Sequence, residues 1–392
     1  IQQSRLFRRP LMNTSPIYDR IDKELTERKS SNLFRQIPAV TSEALIDCST
    51  NSYLGLQFNP DVQKEAQRLS AGIHSGNLAS RIVAQYSPLF DELESEIASW
   101  KNTETALVFN SGYTTNCGII QGLCTRDTEV FSDRLNHASI YDGIKLAGCK
   151  LTRYRHNDMG DLESKCSTSS SHEKIIITDS VFSMDGDCAP LADIVTIAKK
   201  YSCMTMIDEA HAAGILGPHC GGLADKLGLS HEIDIVMGTL SKALAGCGGY
   251  VAVSHLLHDY FVNNCRSLIY STALPHSVLA HNLAALRYIR SHTVMGSALL
   301  GMADEFRAQC RSDHFITGNS VTQIVPIITG DELRALALRS FLKKNGIIAP
   351  AIRPPTVPAG TSRVRISLHG GLSKADLEKV ITLLNGWNGF DE

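Results

Sequence analysis

The fold turns on two short runs: Met204-Thr205-Met206-Ile207-Asp208-Glu209-Ala210-His211 and Ile233-Asp234-Ile235-Val236-Met237-Gly238-Thr239-Leu240-Ser241-Lys242. Each opens as an apolar stretch too short for a helix and ends in polar or titratable side chains. Runs of this kind read as strands buried on both faces of a sheet. Three more lie upstream, at 106–109, 129–131 and 175–178. Helix-like stretches separate them. Residues 187–201, for example, set Leu191, Ile194, Val195 and Ala198 at helical spacing. Strand–helix alternation predicts an α/β domain with a mainly parallel sheet.

Flanking this block, helices are expected at 16–29 and 87–100 before it and at 277–291 and 298–311 after it. The C-terminal stretch follows a different pattern, strand-like at 323–328, helical at 332–345, strand-like at 364–368 and helical at 373–385. That pattern predicts a smaller α+β domain. The expected division is an N-terminal arm and helix (1–47), a large α/β domain (48–285) and a C-terminal α+β domain (286–392). No internal repeat or low-complexity linker interrupts it.

Composition narrows the function classes. With 43% hydrophobic and 20% charged residues among 392, the chain can bury a sizeable core, and disorder is excluded as its main state. Lys plus Arg number 38 and Asp plus Glu 40, a net charge of -2, so nothing points to nucleic acid. No apolar stretch is long enough to predict a membrane span. The 11 cysteines form no CxxC pair and no Cys/His cluster at zinc spacing, so neither a metal nor a disulfide framework is expected. A reducing, cytoplasmic setting fits. Residues 1–18 carry Arg5, Arg8 and Arg9 and no acid, which suits either the trimmed end of an organellar transit peptide or a frayed tail.

Ligands of an open parallel sheet bind outside the carboxyl ends of its strands. After 106–109 come Asn110-Ser111-Gly112-Tyr113; after 129–131, Ser132 through Asn136 and His137; after 175–178, Asp179 through Ser183 and Gly186. Asp208 and His211 follow the fourth run, and Thr239, Ser241 and Lys242 the fifth. A lysine at the end of an apolar strand can act as an amine nucleophile and form a Schiff base with an aldehyde cofactor. Asp208 would be costly to bury without a partner, and a protonated pyridine nitrogen is a suitable one. Gly112, Ser183, Thr239 and Ser241 offer backbone amides and small hydroxyls to a phosphate. His137 could stack on a flat ring. Together these are the needs of pyridoxal 5'-phosphate.

With those residues in place, the chain resembles the α-oxoamine synthases, fold-type I pyridoxal-phosphate enzymes that condense an amino acid with an acyl thioester and release CO2. The resemblance runs from about Leu33 to Leu384. It includes Asn51-Ser52-Tyr53-Leu54-Gly55-Leu56, Ser111-Gly112-Tyr113, Leu135-Asn136-His137-Ala138-Ser139, Arg155-His156-Asn157-Asp158, 181–186, Asp208-Glu209-Ala210-His211, 238–242 and Tyr270-Ser271-Thr272. The run 351–363, Ala-Ile-Arg-Pro-Pro-Thr-Val-Pro-Ala-Gly-Thr-Ser-Arg, is similar to the branch that joins L-alanine to a pimeloyl thioester carried by CoA or an acyl carrier protein.

The resemblance implies roles. Lys242 would hold the cofactor and shuttle the Cα proton, Asp208 would pair with the ring nitrogen, and His137 would stack on the ring. His211 and Ser183 would contact the phenolic oxygen side, and Gly112, Tyr113, Thr239 and Ser241 would lie near ring or phosphate. Thr272 would reach the phosphate of the neighbouring subunit of a homodimer. Arg353 would bind the amino-acid carboxylate, with Arg35, Asn51 and Thr356 at the substrate end. Departures from the family pattern are the glycine-poor loop 74–81, Gln85, Ser52 and His369-Gly370-Gly371-Leu372; they bear on the acyl-chain preference. The rival expectations are a sister synthase using glycine, serine or another acyl thioester, and a non-catalytic partner subunit. Lys242, Asp208 and His211 argue against the second.

Overall fold

The structure is a computed structural model and describes residues 15–37, 45–73, 76–83 and 87–389. The arginines of the N-terminal tail, His74, Ser75 and Gln85 lie outside the described residues. Twelve strands are present among them: β1 (Ile46–Asp47), β2 (Thr105–Phe109), β3 (Thr128–Asp133), β4 (Lys150–Tyr154), β5 (Glu173–Asp179), β6 (Met204–Asp208), β7 (Ile235–Thr239), β8 (Gly249–Val253), β9 (Ile324–Gly330), β10 (Ile347–Ile348), β11 (Ala351–Ile352) and β12 (Ser362–Ser367).

Seven strands form one sheet in the order β2-β8-β7-β6-β5-β3-β4. All run parallel except β8, which is antiparallel to both β2 and β7. The expected mainly parallel sheet is therefore observed, with one reversed strand that the apolar runs did not reveal. Pleating sends alternate residues to opposite faces. Val130, Ile175, Ile177, Met206, Ile235 and Met237 belong to one buried cluster, and Phe131, Ile176, Ile207 and Val236 to another. Both faces are buried, which is why the runs read as continuously apolar.

The helix expected at 187–201 begins later, at Leu191–Tyr201. Pro190 occupies its N-cap, and Asp187 is held outside it by His156 Nε2 (2.8 Å) and Asn157 Nδ2 (3.0 Å). The C-terminal elements form the sheet β11-β12-β9, antiparallel throughout. β1 pairs in parallel with β10, so a strand near the start of the described chain is stitched to one near its end. The expected boundary at 285/286 falls inside the helix His276–Ser291, which packs on Pro60–Ser70 and Pro88–Lys101.

Candidate active site

The carboxyl ends of β5, β6 and β7 and the first turns of two helices enclose a cavity of about 220 Å³. Eight of the residues singled out in the sequence line it: Gly112, Tyr113, His137, Asp208, His211, Thr239, Ser241 and Lys242.

The helix Gly112–Leu123 starts at one side. Ser111 caps it, its Oγ accepting from Thr114 N–H (3.2 Å) while Thr114 Oγ1 accepts from Ser111 N–H (3.1 Å). That capping box leaves the first N–H groups of the turn facing outward, an arrangement suited to an anion. A Cβ at Gly112 would stand 3.3 Å from Met237 Cε, so the turn sits close on β7. The Thr239 and Ser241 hydroxyls lie 2.8 Å apart, and Thr239 also donates to Gly248 O (2.9 Å).

His137 is the N-cap of the helix Ala138–Ala147. Its Nδ1 lies 2.7 Å from Ser139 Oγ, which accepts from Asn116 Nδ2 (2.9 Å). The same amide donates to Asp208 Oδ2 (2.7 Å), and Asp208 Oδ1 accepts from Ala210 N–H (2.9 Å). Asp208 is thus held by both oxygens with one edge on the cavity. Asp179 is its register partner on β5. Burial, then the charge of Asp208, raises the Asp179 pKa well above the carboxylate range. Burial pushes the Lys242 amine down to about 8, against the opposing pull of Asp208 and Asp179. Burial likewise lowers His137, and takes His211 well below the usual imidazole value, with the Lys242 and Arg365 charges adding to it. The site therefore offers a nucleophilic amine, two neutral imidazoles, an oriented carboxylate and an anion cradle.

The remaining sequence-predicted residues do not line this cavity. Ser183 uses its carbonyl to accept from Arg365 Nη1 (3.1 Å). Thr272 is exposed, its carbonyl accepting from Asn110 Nδ2 (2.6 Å). Arg35 Nη2 donates to Thr356 Oγ1 (3.3 Å), and Thr356 N–H donates to Arg353 O (3.1 Å), so these three form a separate group. Asn51 Oδ1 accepts from Arg365 Nη2 (2.8 Å). Asn116, Ser139, Asp179 and Arg365 carry weight here, and sequence reasoning assigned them no role. Buried Arg365 is the instructive one: its charge acts on Lys242, His211 and Tyr53. Its pattern, an arginine inside the apolar-alternating strand 362–367, was the available signal.

This fold and site define a class. The family of aminotransferases of class I and II matches residues 43–384, and the chain belongs to it. Its relatives point to one branch. An 8-amino-7-oxononanoate synthase of Citrifermentans bemidjiense is 42% identical over 346 residues, covering 87% of this chain and 88% of that protein. A serine palmitoyltransferase from S. paucimobilis, solved with a bound PLP–myriocin aldimine, superposes with a TM-score of 0.88 at 28% identity, over 94% of this chain and 97% of its own. An 8-amino-7-oxononanoate synthase structure from Francisella tularensis gives 0.77 at 25%, over 88% and 97%. The resemblance to the α-oxoamine synthases and the fold-type I architecture are both borne out.

Proposed function

We propose that the chain binds pyridoxal 5'-phosphate and condenses L-alanine with a pimeloyl thioester, on CoA or an acyl carrier protein, releasing CO2 and the thiol to give 8-amino-7-oxononanoate, a biotin precursor. The observation that carries this is the 42% identity to an enzyme of that name across most of both chains. The donor set fits the cofactor: an amine, a carboxylate and a helix N-terminus border one cavity of about 220 Å³. Bound there, pyridoxal phosphate supplies an electron sink for a carbanion at the amino-acid Cα.

The chain's own residues do the rest. Lys242, its amine depressed to about 8 and so more readily neutral than an ordinary lysine, would hold the aldehyde and move the Cα proton. Asp208, braced by Asn116 and Ala210, would favour a proton on the ring nitrogen. The N–H groups of Gly112 and Tyr113, with Thr239 and Ser241, would hold the phosphate. His137 would cover the ring. For the amino-acid carboxylate we favour Arg365 over Arg353. Arg365 acts electrostatically on Lys242, whereas Arg353 sits with Arg339 and Arg35, and burial, then their charges, pulls its pKa below the usual arginine value. That group suits the distal carboxylate of the pimeloyl chain.

Eleven free thiols among the described residues support a reducing compartment such as the cytoplasm. No helix there is long and apolar enough to cross a membrane. A homodimer is part of the proposal, since exposed Thr272, which does not line its own chain's cavity, suits service to a partner's site.

The similarity to serine palmitoyltransferases favours a second reading, serine with a long acyl thioester. Backbone similarity reports the shared fold; substrate choice lies in side chains. The test is thiol and CO2 release with alanine, glycine and serine against pimeloyl-CoA, shorter acyl-CoAs and palmitoyl-CoA. Alanine with pimeloyl-CoA is expected to give the highest kcat/KM. Faster turnover of serine with palmitoyl-CoA overturns the assignment.

A further inference from the structure

We propose that Tyr53 is a positioning residue that fixes the tautomer of His211, so that Nδ1 is the acceptor and Nε2 carries its proton into the cavity. This rests on the proposed cofactor site.

The Tyr53 ring is fully buried in the core, where phenylalanine would fill the same volume. Its hydroxyl is the group that needs explaining, because a buried O–H is costly without partners. It lies 2.6 Å from His211 Nδ1 and 3.3 Å from Asn51 Oδ1. The direction of the proton follows from what surrounds it. Gln323 beside the phenol acts to lower its pKa, while its Nε2 donates to His211 O (2.9 Å). Asn51 Oδ1 accepts from Arg365 Nη2 at 2.8 Å and lies 3.3 Å from the phenol, beyond the usual O–H···O length. The short contact, 2.6 Å, is to Nδ1, so the phenol donates there. Burial pushes the Tyr53 pKa up to about 12, and the proton stays on the oxygen. His211 is neutral for the same reason, burial, so it holds one ring proton and that proton sits on Nε2. Gln323, just before β9, holds the His211 carbonyl.

Two consequences separate this from a merely structural tyrosine. A donor at Nε2 is poised for an anionic oxygen on the ligand and useless to a cation. The same tyrosine also touches Asn51, whose partner Arg365 is the arginine favoured for the carboxylate, so the two ends of the site are in contact through it.

The experiment uses the full-length chain with histidine labelled by 15N, read with and without pyridoxal phosphate, His211 being assigned by its loss in His211→Asn. The parent is expected to show an unprotonated Nδ1 and a protonated Nε2 already without cofactor. Tyr53→Phe is expected to mix the two tautomers. In the holoenzyme, Tyr53→Phe should weaken pyridoxal-phosphate affinity about fivefold, the scale of one net hydrogen bond. It should also shift the pH dependence of the cofactor absorbance. Placed on His211→Asn, the same substitution should add less than about twofold. A His211 tautomer unchanged by Tyr53→Phe overturns the inference, as does an equal loss of affinity in both backgrounds. The spectrum without cofactor reads the tautomer even in a chain that bound no pyridoxal phosphate, so failure of the proposed function remains distinguishable.

Discussion

Lys242 is the residue at the centre of the chemistry, and its environment makes a pH prediction. Burial brings its amine to about 8. A lowered lysine pKa means the charged form is disfavoured, so the neutral nucleophile becomes the major form above about 8. An ordinary lysine reaches that point only above about 10.4. The rate of covalent capture of pyridoxal phosphate by the apo chain should rise about tenfold per pH unit below about 8 and level off above it. A rate still climbing at that slope past about pH 9 refutes the buried amine. Asn116 gives a second prediction. Its Nδ2 is shared between Asp208 Oδ2 and Ser139 Oγ. Asn116→Ala leaves a buried carboxylate oxygen without its donor, at about 1.5–3 kcal/mol for a bond to a charged group. Cofactor affinity, read by absorbance titration, should fall about tenfold or more, with the fold retained by circular dichroism. Unaltered affinity shows that Asp208 needs no brace. The two residues also differ in legibility. Asp208 and Lys242 follow apolar runs, and position alone marks them. Asn116 and Ser139 lie inside helices, where polar side chains ordinarily meet water. Only the packing of Gly112–Leu123 against Ala138–Ala147 brings them together.

Strands and helices were legible to the extent that burial showed in their pattern. β3, β5, β6 and β7 are buried on both faces and were read from continuous apolar runs, although their ends moved by up to a few residues. β4 lies at the sheet edge, with Lys150 and Arg153 exposed, and its pattern resembles a loop. β8 is as buried as any strand, but its glycine-rich approach 246–249 reads as a turn. That approach has a function. Gly249 lies in register with Phe109 and Thr239, beneath the first turn of the helix Gly112–Leu123. A Cβ there would fall 2.9 Å from Gly112 N and Cα. Gly249→Ala must therefore push the helix N-terminus off the sheet or distort β8. Overpacking of this kind costs about 1–3 kcal/mol. Urea denaturation should report that loss, and titration a weaker grip on pyridoxal phosphate or on free phosphate. A variant equally stable and equally tight would show that the turn does not depend on this close approach.

Across the whole molecule, the site is completed by chain far from it in sequence. β12 sends two buried arginines onto the loop after β5. Arg363 Nη1 meets Asp185 Oδ1 at 2.5 Å and donates to Met184 O at 3.1 Å, and Arg365 Nη1 donates to Ser183 O at 3.1 Å. These contacts dock the three-stranded sheet on the loop after β5 and leave Arg365 within electrostatic reach of Lys242. The sequence named Arg353 through the resemblance alone and passed over Arg365, whose charge reaches Lys242 only once the two sheets meet. The strand rise separates the candidates by roughly 10 Å, since Ile352 pairs with Arg363 on the neighbouring strand. Conservative substitutions resolve the roles. Arg365→Lys keeps the charge and loses the planar fork that suits a carboxylate. Its alanine KM should rise about tenfold, with the pimeloyl-CoA KM and cofactor affinity within about twofold of the parent. Arg353→Lys should do the converse, raising the pimeloyl-CoA KM and sparing alanine. A loss of thermal stability alone would reflect the docking contacts, so the split between the two KM values decides. If Arg353→Lys raises the alanine KM and Arg365→Lys does not, the amino-acid carboxylate belongs to Arg353, and Arg365 serves only to join the sheets.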